Sequence, residues 1–172
     1  MTITRTDVKL LIPFLLFVIL GLWGSYSFPF IESHKAFTLS FKWFIVPSLI
    51  LGVIYSYYSV FLRGPQQAKW RKVVGLFTLT LIFALLFLRS FQGYLVLCNA
   101  YIGKQEELAI RGTVHQLDYP KKKKPLNTYA IVVGFNNKEQ SIKLDVPSNG
   151  YIIGQVFERK MRKGSLGLLY SF

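Results

Sequence analysis

Cysteine occurs once in the 172 residues, at Cys98, which excludes an intrachain disulfide framework and a cysteine-built zinc site. Acidic residues are scarce, 8 against 21 lysines and arginines, so the chain carries net +13 and suits a membrane surface or another polyanion. Charged residues reach only 17%, against roughly 25% in soluble proteins, and this shortfall argues against an ordinary soluble domain. Histidine appears twice, at His34 and His115, with no carboxylate or thiol at ligand spacing beside either. No G-x-S-x-G, H-E-x-x-H, phosphate-loop or dinucleotide fingerprint is present. Asp145 and Glu158 are carboxylates on separate expected strands, better read as surface charge than as an acid and base. The sequence therefore names no reaction, and no catalytic, cofactor-binding or metal-binding residue is expected.

What the chain has instead is long apolar runs, with 52% hydrophobic residues overall. From Leu10 to Ile31 there is no charge, enough for the roughly 20 helical residues that cross a bilayer core of about 30 Å. Arg5 and Lys9 ahead of this run also fit a signal peptide. Bulky Trp23, Tyr26 and Phe28 occupy the place of a small-residue cleavage site, so an uncleaved span is expected. Pro13 is expected near the helix start, where a missing amide costs little. A second uncharged run covers Trp43 to Leu62 and carries Ser48, Gly52 and Ser56 at four-residue spacing, a small-residue face suited to helix packing. The third run begins at Val73 and reaches Arg89, which is expected to snorkel to the headgroups if the helix continues. Gln92, Gly93 and Asn99 weaken the following stretch, so it reads as a partly apolar neck holding Cys98. Three spans result, about 10–28, 43–62 and 73–93, in a membrane domain of residues 1–103.

Charge sets the expected orientation. The connection after span two holds Arg63, Lys69, Arg71 and Lys72 without an acid, whereas Glu32 offsets Lys35 and Lys42 in the connection before it. Short basic loops stay cytoplasmic, which puts the N-terminus inside and the C-terminal domain outside, in a cell membrane and specifically a bacterial inner membrane.

From about Lys104 the pattern becomes alternation. Leu108, Ile110 and Val114 share one face, Tyr129, Ile131, Val133 and Phe135 another, and Ile142, Leu144 and Val146 a third. With GQVFERKM and LGLLYSF, about five short strands predict a small all-β barrel, OB-like or SH3-like, over 104–172. Lys121, Lys122, Lys123 and Lys124, bracketed by Pro120 and Pro125, cannot pack in a core and predict a solvated tip that could touch anionic lipid or an envelope polymer. Nucleic acid is disfavoured, because Tyr129 and Phe135 fall on the core face instead of interleaving with the charge.

Apolar helices ahead of a small C-terminal barrel, entered by the Gly154-Gln155-Val156 turn, resemble the general plan of NfeD-like membrane proteins. The resemblance is one of architecture and implies no residue role. The expected function is a non-enzymatic membrane protein that presents a barrel outside the membrane to a protein or envelope partner. The alternatives are an immunity or exclusion protein and an accessory subunit of a transporter or channel. Expected partners are the bilayer and a membrane protein or second copy.

Overall fold

The computed structural model describes residues 4–62, 68–118, 129–135, 138–147 and 150–171, the side chains of 129, 135 and 138–140 excepted. The lysine tip, Lys121–Lys124, lies outside the described residues. Three helices, α1 (Arg5–Tyr26), α2 (Ser33–Tyr57) and α3 (Lys69–Tyr101), are long and apolar enough to cross a membrane, α2 being prolonged by a π turn over Tyr58–Leu62. Six strands follow the same chain order: β1 (Phe30–Ile31), β2 (Glu106–Asp118), β3 (Tyr129–Phe135), β4 (Lys138–Val146), β5 (Val156–Lys163) and β6 (Leu169–Ser171). They form a closed, all-antiparallel barrel in the order β1-β4-β3-β2-β5-β6. The chain divides into two compact units, one of residues 1–25 and 37–94, the other of 26–36 and 95–172.

The three helices begin before the apolar stretches that announce them, and α1 ends at Tyr26, before its stretch does. An apolar run marks what the bilayer must cover, whereas helix ends are set by caps and tertiary contacts. Thr4 caps α1: its backbone N–H donates to Asp7 Oδ2 at 2.7 Å, and its hydroxyl accepts from the Asp7 N–H at 3.4 Å. Because α1 starts at Arg5, Pro13 lies inside the helix and not near its start as expected. It leaves the Lys9 carbonyl without its usual amide partner. The neck is likewise helical, α3 continuing through Gln92, Gly93 and Asn99.

Aromatic rings stitch α1 to α3 in parallel. Phe14 meets Phe83 and Phe87 edge-on at 5.4 and 5.5 Å, and Phe17 meets Phe91 and Tyr94 at 5.1 and 4.9 Å. Tyrosine and serine hydroxyls add ties to backbone carbonyls, Tyr94 to Phe17 at 3.0 Å, Tyr55 to Leu10 at 3.3 Å and Ser40 to Leu88 at 2.9 Å. With no water in the hydrocarbon, such donors gain by meeting carbonyls on a neighbouring helix.

In the second unit the barrel core is Phe30, Ile110, Val114, Ile131, Val133, Leu144, Val146, Phe157, Met161 and Leu169. For the described side chains the alternation of β2, β3 and β4 thus selects the buried face as expected, with two departures; the side chains of Tyr129 and Phe135 lie outside the description. Leu108 lies on the inner side opposite Met161 yet is 38% exposed, because β2 pairs with β3 only from Thr113 onward and that flank of its first half is open. A bulge between Val114 and Gln116 shifts the register, which turns Leu117 toward the core although its parity is opposite to that of Val114. The sixth strand, β1, comes from the connection between α1 and α2. It pairs Ile31 with Asp145 on β4 and Phe30 with Ser171 on β6, closing the ring.

Candidate functional site

A dense polar cluster of the second unit surrounds the last turn of α3. Asn99 is 1% exposed and uses both ends of its amide. Its Nδ2 donates to the Leu168 carbonyl at 3.0 Å, while Oδ1 accepts from the Leu166 and Leu168 amides at 2.9 and 3.3 Å. Gly164 presses against the same side chain, where a Cβ would collide with the Asn99 backbone oxygen and amide. Gln105 Nε2 donates to the Asn99 carbonyl at 3.0 Å, and the Tyr170 hydroxyl reaches Gln105 Oε1 at 2.7 Å and the Ala100 carbonyl at 3.2 Å. Burial pushes the Tyr170 phenol above its ordinary pKa, a nearby Arg162 opposing the shift.

Glu32, which follows β1, completes the clamp. Its backbone N–H donates to the Leu169 carbonyl at 3.1 Å, and Oε2 accepts from the Leu169 amide at 3.0 Å. Lys35 Nζ stands 3.7 Å from the same carboxylate and donates to the Gly167 carbonyl at 2.7 Å. The loop 164–168 is therefore held by Asn99 of α3 and by Lys35 in the first turn of α2, while Glu32 holds Leu169 at the start of β6. Hydrogen bonds that satisfy buried backbone groups are costly to remove, since the orphaned partner keeps its desolvation penalty.

The residues singled out from sequence fall as follows. Ser48 and Ser56 on α2 are fully buried, and a Cβ at Gly52 would stand 2.8 Å from the Thr80 carbonyl and 3.3 Å from Ala84 Cβ, so this strip lies against α3. Neither serine hydroxyl has a hydrogen-bond partner. Arg89 is exposed; it donates to Gln92 Oε1 at 2.9 Å and lies 4.6 Å from the Phe37 ring. Phe37 belongs to the start of α2, outside the uncharged run from Trp43. His115 is exposed, and its ring covers Gly134, filling the space a side chain would take. His34 and Cys98 are also exposed. Asp145 and Glu158 are on β4 and β5, which are not neighbours in the barrel; Glu158 lies 3.8 Å from Arg111. Among the described residues no group of three His, Cys, Asp or Glu is placed to hold a metal.

Two features escaped the sequence reading. The tightest helix approach is α1 on α3, where a Cβ at Gly21 would stand 2.6 Å from Ser90 Cα and one at Gly93 would overlap the Gly21 carbonyl. The signal was present as small residues at Gly21, Gly24, Ser90 and Gly93, three apart on each helix, but Gly93 read as a breaker. Asn99 and Glu32 likewise read as a weak spot and a charge offset. Only their distant partners give them a role.

Among the described residues, two shallow grooves stand out on the outer surface. One, of about 390 Å³, is lined by Arg111, Gly112, Thr113 and Val156; the other, of about 480 Å³, lies beside the clamp between Lys104, Lys163 and the 164–167 loop. Ile152, Ile153 and Val156 are 71%, 63% and 60% exposed, just before and at the start of β5, whereas the clamp follows the end of that strand. Compared with protein families, curated proteins and solved structures, the chain matches none of them.

Proposed function

We propose that this membrane protein is a non-enzymatic anchor whose barrel docks a protein partner in the cell envelope, outside the cytoplasmic membrane. The observation that carries the reading is the exposed apolar set Ile152, Ile153 and Val156 on an otherwise charged barrel surface. Contiguous exposed apolar side chains rimmed by polar residues mark interaction sites more often than solvated surface. The barrel interior is filled by side chains from all its long strands, which leaves the outside as the working surface. The orientation rests on the basic connection after α2, with Arg71 and Lys72 at the start of α3, together with Arg5 and Lys9 at the start of α1.

A photo-crosslinking residue at Ile152 in the full chain, in its native membrane, should give a discrete adduct with one protein, whereas the same residue at Lys160 should not. Absence of an adduct at Ile152, or equal labelling at both positions, rejects the docking reading. Alkaline phosphatase fused after Phe172 should be active; an inactive fusion with an active cytoplasmic reporter rejects the orientation.

A further inference from the structure

We infer that the groove beside the clamp is a binding site for the phosphate of an acidic phospholipid headgroup. The groove, about 480 Å³, is lined by Lys104, Glu106, Lys163, Ser165 and Leu166, with Gly164 and Gly167 forming its backbone wall. Gly167 takes φ +72°, a conformation glycine adopts without strain, and this turns the loop so that its carbonyl meets Lys35. Two lysine side chains thus meet at one loop, Lys163 Cε and Lys35 Nζ lying 3.8 and 4.0 Å from the position a Gly167 Cβ would take, and Lys104 lines the same groove.

The charges around the groove do not cancel. Glu32 is already committed, accepting from the Leu169 amide and facing Lys35 Nζ at 3.7 Å. Glu107 is taken by Arg162 at 3.1 Å. Glu106 is the cross-strand neighbour of Lys163, yet neither Lys104 nor Lys163 forms an ion pair with a described carboxylate. Two lysines and the Ser165 hydroxyl are therefore available as donors to one small anion, and a phosphodiester offers a single charge and several acceptor oxygens.

Position favours a lipid over a free anion. Tyr101 ends α3 and Ile102 follows it, 67% and 62% exposed, immediately before Lys104. Aromatic and apolar side chains at the end of a span, followed by lysine, are suited to the glycerol and headgroup layer, where each basic residue adds attraction for anionic lipid. Asn99 fixes the loop to the last turn of the same helix, so the donors are held beside Tyr101 and Ile102. This site is distinct from the apolar set at the start of β5, and it stands or falls independently of partner docking.

The test uses the detergent-solubilised full chain and native mass spectrometry with added phosphatidylglycerol, phosphatidylcholine or inorganic phosphate. Wild type should retain phosphatidylglycerol at least tenfold better than phosphatidylcholine. Lys104→Gln with Lys163→Gln should weaken that retention about 25-fold, roughly fivefold per lysine as basic groups contribute at an anionic surface. Lys104→Arg with Lys163→Arg should keep it, which separates lost charge from lost folding. The charge-matched control, Arg111→Gln with Lys160→Gln, should bind as wild type. Unchanged retention in the glutamine pair, an equal loss in the control, or displacement of the lipid by millimolar inorganic phosphate would each overturn the assignment.

Discussion

The helical unit and the barrel unit solve the problem of holding a chain together by opposite means. In the bundle every backbone hydrogen bond is local, and helices meet through small residues and rings: Gly21 and Gly93 by backbone approach, Phe14 and Phe17 against four aromatic side chains of α3. In the barrel β3 and β4 pair locally, but closure of the ring is not local. β1 is two residues long and pairs with strands that end at Val146 and Ser171. The lesson is that a span is specified by its own segment, whereas a small barrel is specified by partners far along the chain.

The largest effect should come from separating the barrel from its borrowed strand. A fragment of residues 104–172 lacks β1, Glu32 and Asn99, so it should show no cooperative melt, while the full chain should melt cooperatively. A fragment that melts with a sharp transition would show that β1 is dispensable. Next, Gly93→Val should cost about 3 kcal/mol or more, because the added side chain overlaps the Gly21 carbonyl and overpacking at a backbone contact finds no room. Gly52→Ala, 2.8 Å from the Thr80 carbonyl, should cost less, and thermal melting in detergent gives the order. If Gly52→Ala proves the more damaging, the bundle is centred on α2 and not on the α1–α3 crossing.

Asn99→Ala removes three hydrogen bonds and leaves two loop amides without acceptors, for a loss of about 2–3 kcal/mol. Hydrogen exchange should accelerate at Leu166 and Leu168 before it does in β3 or β4. Ser48→Ala deletes a buried hydroxyl that has no partner, so stability should be unchanged or higher by up to about 1 kcal/mol. A loss on this substitution would mean that the hydroxyl is paired in the membrane.

The smallest effect concerns Asp118, whose carboxyl is held below the ordinary carboxylate range first by its hydrogen bond with Lys143 and then by that with Gln116. A lowered pKa stabilises the fold above the ordinary value of about 3.9, and the contribution disappears as pH falls through the lower, folded value. Asp118→Asn should therefore flatten the acid side of the melting curve slightly and leave neutral pH almost unaffected.

Composition and periodicity made the helices and most strands legible. Uncharged runs revealed the three spans, and the buried positions Ile110, Val114, Ile131, Val133, Leu144 and Val146 followed from alternation. What stayed hidden depends on long-range partners. Phe30 and Ile31 end an apolar span and carry no strand signal of their own; only the exposed edges of β4 and β6 make them a strand. Asn99 inside a helix lowers helical propensity, so its value becomes visible only beside the 164–168 loop. Gly93 reads as a weakness in one helix and is a contact between two.

The origin of β1 also imposes an order on biosynthesis. Glu32 and the Leu169 amide it must receive are 137 residues apart, which at about 5–20 residues per second means about 7–27 seconds of translation between them. During that interval two further spans are made while the future ring remains open. Until β6 is made, β5 and β1 each present an edge whose neighbour does not yet exist, the state in which strands pair wrongly with other chains. A ribosome that stalls just before Leu169 therefore leaves a protein with all three spans complete and an unclosed sheet, a form a quality-control protease could recognise by its edges alone.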